Sequence, residues 1–391
     1  MTYRELLKTH KIVRQLSLVQ FIAYFGAWFS NVAIYSMLVD FGATAFVISL
    51  VTAMHMLPGV ILAPFNGTIV DRFPVKPLMA ALLATELIMT LCFISITSLN
   101  DVWLLLILLF IRMGSASMFF TAEMSLLPKI LSGEALVKAN ELHSIIWSFT
   151  FTAGMAIGGI IVNLYGVTIS FIIDGCFFLT ALIILSQIDF RIKTKKHLDN
   201  IYESIKSGLV YIKNNKHLLH YMLLHASVGL TIFDALVTLL SDYEYRHVIS
   251  VPLAIGITNA VRAFALMIGP LFISNWVNKE RLFYVFIFQG ITIIFWAFVQ
   301  KDFYIGLVGM FMTGLFTTTI WSYTYAMLQE QVEPEYLGRV LAYNESMFML
   351  TNVMTTLFIG LMASLAGLDI ITIILGCGFL ATAYYYKKVF L

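Results

Sequence analysis

What most constrains this chain is a succession of long apolar stretches, broken only by short polar segments, that runs from residue 13 to residue 386. Each comes close to the about 20 mostly apolar residues that a helix needs to cross the hydrocarbon core of a bilayer. In lipid every backbone N–H and C=O must find its partner within the chain, so stretches of this length and polarity fold as spanning helices. Composition agrees: 60% of the residues are hydrophobic and 12% charged, about half the charge of a soluble domain. Water is the wrong solvent for such a surface. The 32 Phe and 18 Tyr suit lipid-facing and interfacial positions, and a formal net charge of +2 does not point to nucleic acid.

The apolar stretches place spans at Val13 to Leu38, Ala45 to Ile69, Pro77 to Leu99, Val102 to Leu126, Asn140 to Tyr165 and Thr168 to Ile188. Six more lie at His217 to Tyr243, Val251 to Val277, Leu282 to Val299, Phe303 to Gln329, Gly338 to Leu365 and Leu368 to Tyr386. Between them, residues 189–216 carry seven Lys or Arg and a short amphipathic stretch, Ile201 to Ile212, which reads as a connector lying on the membrane surface. The expected fold is therefore all-α and membrane-embedded, with twelve spans in two six-helix bundles: 1–188, a basic connector at 189–216, and 217–391. Cys92, Cys176 and Cys377 each sit inside an apolar run, which leaves neither a disulfide framework nor a metal cluster to read. The opening Met1 to His10 is polar, and no small-residue cleavage site follows it, so no removed signal peptide is expected.

Cations fix an orientation, because short cytoplasmic loops collect Lys and Arg. With the N-terminus inside, 20 cations fall on cytoplasmic segments and two, Arg246 and Lys301, on outer loops. The remaining two, Arg112 and Arg262, lie near the middle of spans four and eight. The breaks also repeat. Leu136-Val137-Lys138-Ala139-Asn140 after span four matches Leu337-Gly338-Arg339-Val340-Leu341 after span ten. Gly67-Thr68-Ile69-Val70-Asp71-Arg72 after span two matches Ser274-Asn275-Trp276-Val277-Asn278-Lys279 after span eight. A similar offset in both comparisons points to duplication, an arrangement common in transporters built around a central site.

The stretch Gly67-x-x-x-Asp71-Arg72-x-Pro74-x-Lys76 resembles the loop that marks the major facilitator superfamily, between its second and third helices. Leu57-Pro58, Pro64, Arg112 with Gly114, Pro128, Ala139-Asn140 and Gln331-Val332-x-Pro334 with Gly338-Arg339-Val340 extend the resemblance to the proton-linked efflux branch, which holds macrolide exporters and the enterobactin exporter. Gly154-Met155-Ala156-Ile157-Gly158-Gly159 is similar to the antiporter element of helix five, with Met155 in place of its proline; Pro74 and Val75 likewise replace the usual Gly and Arg. The resemblance implies two pseudo-symmetric bundles, with helices three, six, nine and twelve outside the cavity. It also implies a proton-linked role for Arg112. Physically, Gly67 lets another backbone approach the end of span two, and Asp71 is placed to cap the next helix or pair across the halves, so Gly67, Asp71, Arg72 and Lys76 read as a conformational latch. Gly154, Gly158 and Gly159 read as a close-packing hinge surface.

Charges within the membrane are the sharpest site candidates, because burying one costs at least about 2.5–3.5 kcal/mol unless it is paired or wetted. They are Glu86, Arg112, Glu123, Asp174, Asp234, Arg262 and Glu345. The implied architecture sets Glu86 and Asp174 outside the cavity, and Glu123 is placed to snorkel to the interface. Arg112 is read as stabilising a nearby carboxylate. Asp234 and Arg262 fall at similar depth, within reach of a pair. Glu345, beside Asn344, suits an inner gate or a second proton carrier. His55 and His225 have the intrinsic range to titrate near neutral pH. Asn31, Tyr35, Trp147, Trp321 and Tyr325 are candidates to line an aromatic, weakly polar cavity.

The expected function is alternating-access export of an amphiphilic organic compound, drug-like or siderophore-like, driven by protons with Asp234 as the first carrier. An uptake permease or a lipid flippase on the same fold is the alternative. A metal-ion exporter, suggested by 19 Met beside the histidines, lacks any ligand spacing. No loop carries a nucleophile, metal or phosphate motif that would mark an enzyme. The expected partners are a small-molecule substrate, protons and the lipid bilayer. No cofactor is expected, and the chain is expected to act as a monomer in a bacterial inner membrane with both termini cytoplasmic.

Overall fold

The computed structural model describes residues 2–190, 201–274, 276–333 and 335–391, apart from the side chains of Pro64, Thr68, Asp71, Glu134, Val137, Ile201, Tyr202, Ser204 and Ile205. Residues 191–200 of the connector, Asn275 and Pro334 of the compared motifs, and the Asp71 side chain thus lie outside what is described. Eleven described segments are long and apolar enough to cross a membrane. One of them, Lys138–Ser186, has 49 residues, about 74 Å of helix at 1.5 Å per residue and more than twice the hydrocarbon thickness. It turns over at Gly166, where φ is 82° and ψ 172°, a conformation that only glycine adopts without strain. The chain therefore crosses twelve times.

The spanning helices are α1 (Lys11–Asp40), α2 (Ala45–Ala53 continued by Leu57–Arg72), α3 (Val75–Cys92), α4 (Val102–Ile130), α5 (133–165) and α6 (167–186). The second six are α7 (from His217 to Tyr245 in several pieces), α8 (Val251–Ile273), α9 (Leu282–Val299), α10 (Phe303–Gln329), α11 (Leu337–Met362) and α12 (Leu368–Phe390). A short helix, Tyr3–Thr9, precedes α1, and the connector helix Ile201–Asn214 precedes α7. Both lie at the end of the molecule that also carries the α2–α3 and α10–α11 turns, hereafter the connector end.

Loops at the opposite end are short and end in helix caps. Thr44 accepts a hydrogen bond from the Val47 N–H, Asp302 accepts one from the Ile305 N–H, and Pro252 occupies the first turn of α8. Each removes or satisfies an orphan donor at a helix start. The bundles also meet closely at this end. A Cβ on Gly159 of α5 would lie 2.7 Å from the Pro252 carbonyl oxygen, and one on Gly256 of α8 would lie 2.6 Å from that of Met155. Here α5 and α8 cross backbone against backbone, as small residues permit. Gly360 of α11 packs likewise on Ser49 and Ala45 of α2. At the connector end, by contrast, a Cβ on Gly67 or Gly338 meets nothing within 4 Å. The close approach expected at Gly67 is therefore absent among the described residues.

Two spans read as continuous are broken. In α2 the helix pauses at Met54, His55 and Met56. Pro58, in the first turn of the second piece, has no N–H and would crowd the carbonyl four residues back. In α7 the first piece, His217–Ala226, tightens into a 3-10 turn at Ser227–Thr231, becomes extended at Ile232, and restarts at Asp234–Leu240 before a π turn at Ser241–Tyr245. Inside a membrane such breaks persist where side chains satisfy the freed backbone groups.

Candidate functional site

The two breaks sit at one depth and bring the halves together. His55 is ten residues in from the start of α2, Arg262 eleven from the start of α8, Asn31 nine from the end of α1 and Asp234 eleven from the end of α7, all about 14–17 Å from the opposite end. Arg262 carries the second break. Its Nη2 donates to the freed Thr231 carbonyl at 2.6 Å, its Nη1 lies 3.6 Å from Asp234 Oδ2, and its guanidinium stands 5.3 Å from the Phe233 ring centroid. The Asp234 carboxylate in turn acts electrostatically on Tyr35 and His55 of the first bundle.

On that side, His55 Nδ1 lies 3.2 Å from the Val51 carbonyl and Nε2 lies 3.0 Å from the Asn31 side chain. The Tyr35 ring centroid is 5.6 Å away. A carbonyl can only accept, so Nδ1 carries a proton. Neutral His55 then needs Asn31 to turn its NH₂ toward Nε2, whereas the imidazolium needs the Asn31 oxygen there. The amide orientation thus registers the charge on His55. Asn31, Tyr35, His55, Asp234 and Arg262 form one polar cluster shared by α1, α2, α7 and α8, and the chemistry open to it is proton binding and polar ligand contact.

Arg112 lies outside this cluster, within the first bundle. It is 1% exposed, donates from Nη2 to Asp174 Oδ2 at 2.8 Å, and stands 5.5 and 5.4 Å from the Phe93 and Phe178 rings. The Ser30 hydroxyl donates to the same carboxylate oxygen. The carboxylate held by Arg112 is thus Asp174, from α6, one of the helices that the resemblance sets outside the cavity. Glu86 is 6% exposed and near enough to feel both charges. Glu123 does not snorkel. It is 3% exposed, with Oε2 3.6 Å from His143 Nδ1.

Glu345 lies eight residues into α11, with Oε1 3.7 Å from His225 Nε2. His225 Nδ1 is 3.1 Å from Thr324 Oγ1, and the ring stands among Trp321, Tyr325 and Phe348 at 5.3–5.6 Å. Trp147 lies edge-on to Trp28 at 6.0 Å and is 41% exposed. Of the latch residues, Arg72 closes α2 as an exposed side chain, and Lys76 Nζ donates at 2.7 Å to the carbonyl of Ser186, the last residue of α6. That bond holds the α2–α3 turn to its own bundle and places a cation at a helix C-terminus, where it is favoured. Gly154 and Gly158 press on Trp28 and Phe29 of α1, and Gly159 faces α8. One glycine run therefore serves both the internal and the cross-bundle surfaces of α5.

Sequence reasoning missed His143, Ser30 and the Thr231 carbonyl. For His143 the missing signal is helix rotation, which no spacing on a single span reveals. The break in α2 had a signal in Pro58.

The whole-chain comparisons agree with this architecture. The Major Facilitator Superfamily model matches residues 16–302. The chain is similar to macrolide efflux protein A of Streptococcus pyogenes, with 24% identity over 330 residues, 82% of this chain and 81% of the relative. Among solved structures it is similar to the nucleoside transporter NupG, with a TM-score of 0.75, 12% identity and coverage of 97% of this chain and 99% of that one. It also resembles a bacterial homologue of the human lysosomal transporter Spinster in an inward-facing and occupied conformation, with a TM-score of 0.71, 13% identity and coverage of 97% and 94%. With a family model covering well over half its length and twelve crossings in two bundles, the chain belongs to the major facilitator superfamily.

Proposed function

We propose that this transporter exports an amphiphilic organic compound in exchange for protons, with the connector end in the cytoplasm of a bacterial inner membrane. The observation that carries the reading is the cluster of Asp234 and Arg262 against Asn31, Tyr35 and His55. In this reading the Asp234 carboxylate and the His55 imidazole serve as the proton acceptors between the two bundles. A proton added there changes the charge between the halves, and only a group whose interactions differ between two states biases their equilibrium. The aromatic side chains Trp147, Trp321 and Tyr325 would offer an apolar lining with few polar contacts, as ligand cavities do. The relative named for macrolide efflux supports export, and the 20-to-two cation count supports the orientation. The partners are a small-molecule substrate, protons and the bilayer, and the working unit is a monomer.

The test is flux in proteoliposomes holding the full chain, with erythromycin and a nucleoside as contrasting probes and a pH gradient of each sign. Export predicts erythromycin movement opposite to the proton gradient, lost in Asp234→Asn. Movement of the nucleoside with protons would establish an uptake permease. Gradient-independent flip of a labelled phospholipid would establish a flippase.

A further inference from the structure

We propose that Glu123 and His143 form a proton-holding pair between the central cluster and the connector end, closed off from that end by Leu6 of the N-terminal helix. Their placement extends the proton-driven reading above. Glu123 lies seven residues from the end of α4 and His143 ten from the start of α5, about 10–15 Å inside the connector end. Both are buried, at 3% and 7% exposure. Glu123 Oε2 and both His143 ring nitrogens have no hydrogen-bond partner among the described residues, although Oε2 lies 3.6 Å from Nδ1. Buried polar atoms are rarely left so, and each such group calls for an explanation.

Charge supplies one. With one proton between them the two groups are neutral overall, as acid and imidazole or as carboxylate and imidazolium. With none, a carboxylate is left buried without a cation; with two, an imidazolium is left buried without an anion. Either is expensive in an apolar bundle. The closed site therefore holds one proton, and exchanging it requires water. The other titratable or charged groups around the pair do not take over this role. From α1, Tyr24 stands edge-on to His143 at 6.3 Å, and Gln20 donates only to the His143 backbone carbonyl. From α3, Glu86 acts on Tyr24, as Glu123 does. On α5 the Lys138–Glu141 pair, joined by the Tyr3 hydroxyl, lies toward the surface. On α4 itself the neighbour is Phe120, 5.4 Å from the imidazole.

Beneath the pair the chain builds an apolar seal. Leu6 is fully buried with Val13, Leu127, Leu131 and Ala139. The helix that carries it is fixed by reciprocal Thr2 and Glu5 capping bonds and by the Tyr3 bond to Glu141. Opening this seal lets water reach the pair, and one proton then passes from the pair to water on the connector side.

The experiment combines two readouts on the full chain in lipid. Infrared difference spectra on deuteration follow the protonated-carboxyl band together with the carboxylate and imidazolium bands, so that either form of the one-proton pair is seen, and erythromycin transport is measured both with a pH gradient and as gradient-free counterflow. Glu123→Gln is expected to remove a slowly deuterating band of the pair, carboxyl or imidazolium, and to abolish gradient-driven accumulation while counterflow continues. Leu6→Ser is expected to speed deuteration of that band. His143→Gln is expected to uncouple driven flux in the same way. If Glu123→Gln also loses counterflow, Glu123→Asp decides: recovery of driven flux supports the pair, and no recovery assigns Glu123 to packing and overturns it. Unchanged infrared spectra, or driven flux equal to wild type in Glu123→Gln, would overturn it as well. A wild type that shows the Glu123 band but no gradient-driven flux would sink the exporter reading and leave the pair standing.

Discussion

Asp174→Asn separates the charges that hold the fold from those that serve transport. At 2.8 Å the Arg112–Asp174 attraction is about 6 kcal/mol for an effective dielectric constant of ~20. Desolvation of both ions offsets much of that, so the pair itself contributes little net stability. Removing one partner is different: Arg112, 1% exposed, would keep its charge without an anion at hydrogen-bonding distance, at a cost of about 3–5 kcal/mol. For a chain of 391 residues that lowers the melting temperature by roughly 4–6 °C. The apolar double variant Arg112→Met with Asp174→Leu should recover to within about 1–2 kcal/mol of wild type, because it buries no lone charge. Asp234→Asn should behave in the opposite way. Its carboxylate is 15% exposed and 3.6 Å from Arg262, which is 7% exposed but keeps its bond to the Thr231 carbonyl, so about 1.5–3 kcal/mol is lost, less than for Asp174→Asn, while proton-driven flux disappears. Melting of detergent-solubilised full-length protein, read with flux on the same preparations, checks both. The reasoning is refuted if Asp174→Asn melts with the wild type, or if Asp234→Asn is the less stable of the two.

Other perturbations follow from single contacts. Gly159→Ala would press a methyl group against the Pro252 carbonyl 2.7 Å away, costing the closed opposite end about 1–3 kcal/mol; spin-label distances between α5 and α8 should show that end populating an open state. Gly166→Ala forces a side chain into φ 82° at about 1–3 kcal/mol, read as a lower melting temperature with flux per folded molecule unchanged. At the N-terminus, the Thr2 bonds hold the Glu5 carboxyl below its ordinary pKa. Its contribution to the cap is therefore complete above the ordinary carboxylate range and is lost as pH falls through the lowered value. A cysteine at position 6 should label faster at that acid pH, and Glu5→Gln should remove the pH dependence.

The topology was legible because spanning depends on apolar length, and length is written along the chain. The Asp234–Arg262 pair was legible for a related reason: depth follows from rise per residue, and two opposite charges at one depth in consecutive spans have few alternatives to meeting. Rotation is the quantity a sequence read one span at a time does not contain. It decides that Asp174 faces Arg112 and that His143 faces Glu123 rather than lipid. Backbone breaks divide by cause. The one in α2 follows from Pro58, visible in the chain. The one in α7 has no proline, and its extended Ile232 is supported by a partner on another helix.

That support suggests how charge becomes movement in the proposed exchange. Arg262 serves two acceptors at once, the freed Thr231 carbonyl and the Asp234 carboxylate, and these flank the break in α7. While Asp234 is ionised, the guanidinium ties the end of one α7 piece to the start of the next and holds their angle. Under that proposal, a proton on Asp234 would remove the ionic half of that tie and leave the carbonyl bond, releasing the second piece relative to the first. The same proton alters the field on His55, and with it the preferred orientation of Asn31 on α1. In the proposed exchange a single protonation would loosen a hinge in one bundle and re-sort a hydrogen bond in the other, where a salt bridge between unbroken helices would give only a change in stability. Hence Arg262→Lys is the informative substitution. A lysine keeps the charge but not the two-pronged geometry, and it should preserve folding and substrate binding while separating substrate flux from the pH gradient.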